Sequence, residues 1–193
     1  MKTLLVIAGM IAGLSAAHAA ERDDLVSVFQ AVCMTPGSFS DAMRSFAEAK
    51  GWKTQASPNG EVRSVFSKAK IKTGYQPPLD WNYAFHIMWF PAGTPGTVNM
   101  IQGQPVEACW VSEPGMKRVK VEARLRAMRN LPQPVRPVSA EVRRWFGKEG
   151  PEQGSLEWSL DQQPWDYIVL DESQHMGEKT YLVRLRPSIR KTP

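Results

Sequence analysis

The two cysteines carry the most constrained chemistry in this chain of 193 residues. Cys33 and Cys109 stand 76 positions apart, a spacing unlike a zinc site or a Cys-x-x-Cys redox motif. In an oxidising compartment an even count reads as a disulfide, and two cysteines leave one connectivity. Histidine chemistry is sparse after the first twenty residues. His86 sits within an apolar run and reads as a sheet or core residue. His175 and Glu178 have a spacing that binds metal on a helix, but here it falls in a turn around Gly177. Adjacent carboxylates such as Asp171 and Glu172 point to opposite faces of a strand. Asp80, Glu107, Glu157 and Asp161 are the acids that a fold would have to gather to make a glycosidase pair, and no spacing singles out two of them. The nucleophile-elbow, zincin, P-loop, dinucleotide-binding and EF-hand motifs are all missing. The sequence therefore leads to no catalytic residue, no metal site and no cofactor.

Other residues suit binding. The seven tryptophans are Trp52, Trp81, Trp89, Trp110, Trp145, Trp158 and Trp165. Most fall in expected strands, where core packing uses them. Trp81, beside Pro77-Pro78, is the one expected to be exposed. Charge is blocked along the chain. Residues 117–148 carry ten Lys and Arg against Glu122 and Glu141, and residues 149–183 carry eight acids against Lys179. Two accounts follow. The blocks neutralise each other within the fold through Glu149, Glu152, Glu157, Asp161 and Asp166. Alternatively Arg118, Arg124, Arg126 and Arg129, with Arg143 and Arg144, form an electropositive face for an anionic partner.

The elements that must position these residues begin after a leader. Lys2, the apolar run Leu4–Leu14 and Ala17-His18-Ala19 have the form of a signal peptide over residues 1–20, with cleavage after Ala19 or Ala20. No later run reaches membrane-spanning length. Residues 21–193 are expected to form a single α+β domain. Without Lys2 the formal charge of +5 drops by one. Nucleic acid is a poor partner for an exported protein, so an anionic envelope component or a partner protein is expected instead.

Asp23 or Asp24 caps a first helix with Leu25, Val28, Phe29 and Val32 on one face. Ser38 or Ser40 starts a second helix, with Met43, Phe46 and Ala47 inward and Gly51 as its stop. Residues 52–56 pair with 61–68 across the turn Ser57–Gly60. Tyr83–Phe90 is apolar on both faces and reads as a central strand. A hairpin around Gly103 joins 98–102 to 106–112. Residues 117–130 alternate like a strand, but their Glu-Ala-Arg-Leu-Arg composition and flanking prolines favour a helix, which is our reading. Ser139 caps a short helix through Phe146. Segments 156–160, 165–170 and 180–185 make a three-strand antiparallel meander.

The order of these features, with Phe29-Gln30-Ala31-Val32-Cys33 in one helix, Phe39-Ser40 through Lys50-Gly51-Trp52 in the next and Cys109-Trp110-Val111 in a later strand, resembles small exported bacterial proteins of unknown function. The resemblance spans roughly residues 20–112 and brings no catalytic residues. It implies an α+β fold: an antiparallel sheet packed by an N-terminal helical hairpin, one or two further helices and the Cys33–Cys109 bridge. The functional expectation is a non-enzymatic periplasmic binding domain. The second reading is a small envelope hydrolase acting on peptidoglycan or a related polymer.

Overall fold

A computed structural model describes residues 23–67, 85–92, 100–101, 104–114, 116–128, 130–146, 151, 154–160, 166–173 and 179–188. The segment read as a signal peptide, the turns at 162–164 and 175–178, and the side chains of Trp81, Arg129 and His175 lie outside them.

Asp24 caps the first helix, α1 (Leu25–Cys33), and accepts from the Val26 and Ser27 N–H groups at 3.0 Å each. Ser38 caps α2 (Phe39–Lys50), and Gly51 ends it at φ 62°, where a side chain would be strained. Strands β1 (Lys53–Ala56) and β2 (Val62–Phe66) then pair across the expected turn, in which Gly60 has φ 80°. β3 (His86–Phe90) lies between β2 and β5 (Gln104–Pro114), as a central strand should. The short β4 (Met100–Ile101) pairs with the start of β5. α3 (Arg118–Arg126) and α4 (Ala140–Phe146) follow. The chain closes with β6 (Leu156–Ser159), β7 (Tyr167–Ser173) and β8 (Lys179–Pro187).

Every pairing is antiparallel, in the order β1-β2-β3-β5-β8-β7-β6, so the C-terminal meander docks on the centre of the sheet through β8. The fold is α+β. Several strands run past the expected ends, β5 to Pro114 and β8 to Pro187, because the long β5–β8 ladder satisfies backbone groups that local composition does not mark.

Strand alternation sorts the core into two layers. On one face Ile87, Cys109, Val111, Ile168, Leu170 and Leu182 pack under α1, α2 and α3. On the other, Val169, Val183 and Leu185 pack with Val142 and Trp145 of α4 and with Ile101. The helical reading of 118–126 holds for a packing reason: Val121 and Leu125, four apart, reach the first core together, whereas a strand would have put Val119 on that same face, and Val119 is instead 73% exposed.

α1 is anchored at both ends. Asp24 and Glu113, which accepts from Leu25 N at 3.0 Å, place carboxylates at its positive end. At its other end Cys33 is bonded to Cys109 on β5. Arg184 donates to Cys33 O at 2.8 Å, and Arg186 donates to Thr35 O and Gly37 O at 3.0 and 2.6 Å. Cationic groups thus meet the carbonyl-rich end of the helix.

Candidate functional site

Three places in the fold collect chemistry, and the first is α3. Lys117, Val119, Lys120, Arg124 and Arg126 are on its solvent side, and Val119 is 73% exposed. Arg124 is ion-paired with Asp24. Arg126 pairs with Glu122 one turn earlier at 2.9 Å and donates to Gln133 Oε1 at 3.4 Å. Arg118 is half-buried, and a Cβ at Gly154 would run into its guanidinium. Among the described residues Lys117 and Lys120 have no ion-pair partner. A groove of about 170 Å3 runs between α1 and α3, with Leu25, Val26 and Val121 in its floor and Lys120 and Arg124 at its edge.

Arg143 and Arg144 are exposed on α4, across the sheet from α3. The structure therefore brings Arg118, Arg124 and Arg126 together on one helix and leaves Arg143 and Arg144 on the other side. The arginine face expected from the sequence left out Lys117, and Lys120 entered only on the alternative strand face with Glu122, Arg124 and Arg126. The signal of the two lysines was present as a spacing of three across the start of the expected helix, where Lys117 is the N-cap and Lys120 stands in the first turn.

Neither charge account describes the whole pattern. The acidic block does not neutralise the basic segment in the described residues. Asp166 instead holds Arg184 through two bonds of 2.9 and 2.7 Å, and Glu157 accepts from Ser139 N at 2.7 Å. The basic segment takes its partners from Asp24 and Glu122.

The second place is a buried charge centre beneath α1. Glu107, 2% exposed, accepts from Arg186 Nε and from Trp89 Nε1, both at 2.9 Å. Arg186 also lies 3.6 Å from the centroid of the Phe39 ring. Burial pulls this guanidinium below its ordinary pKa, and the Glu107 carboxylate opposes that pull. Glu107 lines a polar cleft of about 320 Å3 with residues of α2 and of the β1–β2 turn. Glu157 is on the opposite face of the sheet, so these two carboxylates do not share a cleft. Asp80 and Asp161 lie outside the described residues.

The third place is a polar row across the other face, where the strand register aligns Phe66, His86, Ser112, Tyr181 and Asp171. His86 stacks on Phe66, with ring centroids 4.6 Å apart. Ser112 donates to the His86 backbone oxygen at 3.5 Å, and the buried Asp171 accepts from the Tyr181 and Ser155 hydroxyls. Three strand spacings put Asp171 about 14 Å from His86. Asp171 is thus too distant to orient His86 as the third member of a nucleophile, base and orienter set. Tyr181 also carries the stacked ring of Trp110 at 4.2 Å, which fits a core role.

On the same face Tyr167 has its phenol pKa raised by burial first, then by Glu157 and Glu141. A raised value in the folded state means that the unfolded chain loses this proton first. The stabilising contribution is complete below the ordinary phenol value and is lost as pH rises through the folded one. Alkaline unfolding of the wild type should therefore begin earlier than that of Tyr167→Phe, followed by circular dichroism against a tyrosinate absorbance titration. Identical alkaline limbs would show that Tyr167 is not coupled to folding.

Among the described residues no three His, Cys, Asp or Glu side chains are gathered as a metal site, and no helix is long and apolar enough to cross a membrane. No family model, curated protein or solved structure matches this chain.

Proposed function

We propose that this chain is an exported binding domain whose α3 surface meets an anionic component of the bacterial envelope. The observation that carries the reading is the solvent side of α3, where Lys117 and Lys120 flank the exposed Val119 without ion-pair partners among the described residues. Such a surface attracts anions over roughly a Debye length, and its apolar centre adds contact area at short range. The signal-like leader and the Cys33–Cys109 bridge support a periplasmic location, since disulfides persist in oxidising compartments.

The reading is tested by co-sedimentation of protein recovered from the periplasm with phosphatidylglycerol vesicles and with purified peptidoglycan. That protein should begin at Ala20 or Glu21. Wild type should bind at low salt and lose binding near 0.15 M, where the Debye length is about 8 Å. The variant Lys117→Glu/Lys120→Glu should lose binding with its melting temperature held within about 2 °C, because it breaks no ion pair. Arg124→Glu is a poorer probe, since it would set a second carboxylate against Asp24. Salt-independent binding, or equal binding by the reversed variant, would remove α3 from the reading.

A further inference from the structure

The polar cleft of about 320 Å3 stands apart from α3: its described lining comes from α2, the β1–β2 turn, β3 and β5. Its size falls at the lower end of small-ligand sites. Trp89 is the one large apolar side chain among the described lining residues, and the rest of the lining is hydroxyl, amide, carboxylate and guanidinium. From this chemistry we infer that the cleft binds a single neutral sugar residue of pyranose size.

Charge excludes the simpler ligands. Arg44 is the one cation among the described lining residues, too few for a phosphate amid the carboxylates of Asp41, Glu61 and Glu107. Those acids are no cation trap either. Glu107 is held by Arg186 and Glu61 by Arg63, both at 2.9 Å, and Asp41 stands one helical turn from Arg44. With Arg63 and Arg186 standing behind the lining, the cleft is near neutral in sum, and it is rich in both donors and acceptors, which is what adjacent sugar hydroxyls require.

The cleft is also built rather than incidental. Arg44 Nη2 donates to Gly60 O at 2.7 Å and ties α2 to the turn, which fixes the cleft's width. Trp89 is held through Nε1 by Glu107 and on its ring by the Arg63 guanidinium, 4.7 Å from the centroid. Its position is set before a ligand arrives, so little ordering entropy is lost on binding. Ser40 adds an independent sign. This side chain is 4% exposed and its Oγ accepts from Val62 N at 2.9 Å, yet its own proton has no acceptor among the described residues. Lining the cleft, this hydroxyl can donate to a ligand oxygen there.

Saturation-transfer NMR on the full chain tests this with four probes: N-acetylglucosamine, glucose, galactose and mannose. At least one should show transfer with millimolar affinity, the range open to a ligand with few contacts. Inorganic phosphate should not displace it. Asp41→Ala and Arg44→Ala, both at exposed helix positions, should each weaken binding about tenfold while circular dichroism stays unchanged. Lys117→Glu/Lys120→Glu should leave sugar binding intact, which separates this result from the envelope-surface reading. Absence of transfer from all four sugars to folded wild type would overturn the inference. So would transfer undiminished in both cleft variants, or competition by phosphate.

Discussion

Removing the bridge with Cys33→Ala/Cys109→Ala is expected to lower the unfolding free energy by about 4 kcal/mol and the melting temperature by roughly 10 °C. The magnitude follows from a sequence separation of 76, which makes the tethered unfolded chain much less disordered than the open one. Both cysteines are fully buried, so each alanine also leaves a small void. The fold should survive, because α1 remains held by Asp24 and Glu113 at its start and by Arg184 and Arg186 at its end. Far-ultraviolet circular dichroism should thus be preserved at low temperature while thermal unfolding shifts. A double variant that melts within about 1 °C of wild type would show that the bridge does not restrain the unfolded chain.

Arg186→Met should destabilise the protein by about 3–5 kcal/mol, comparable to loss of the bridge. The substitution leaves the Glu107 carboxylate buried with the Trp89 N–H, and it strips Thr35 O and Gly37 O of their donor. Glu107→Leu should cost less, because the guanidinium keeps both carbonyls and the Phe39 ring. The pair Arg186→Met/Glu107→Leu should recover much of the loss, since no uncompensated charge is then buried. Urea midpoints of the four proteins give the coupling. Additivity within about 0.5 kcal/mol would show that Glu107 and Arg186 are energetically independent despite their contact.

Local chemistry accounts for much of the architecture. The Asp24 and Ser38 caps, Gly51 at positive φ and the Ser57–Gly60 turn each depend on a few adjacent residues, and each stands where the sequence puts it. The disulfide is of the same kind, because two cysteines admit one pairing. The strands were recognisable by alternation, although their ends were not. An end is set by how far a partner strand continues, and β5 and β8 support each other as far as Pro114 and Pro187.

The candidate sites depend on contacts between distant residues. Glu107 was one acid among several until the β5–β8 register put it opposite Arg186 and the β3 pairing brought Trp89 to it. The sugar-sized cleft joins Ser40 and Arg44 to Glu107 across more than sixty residues, and no spacing in the chain encodes that meeting. The basic segment shows both levels at once. Its charge is plain in the composition of 117–148, yet α3 and α4 pack on opposite faces of the sheet and divide the arginines between them. A run of like charge records only which side chains are close along the chain, whereas a binding surface depends on which of them the core turns toward the same solvent.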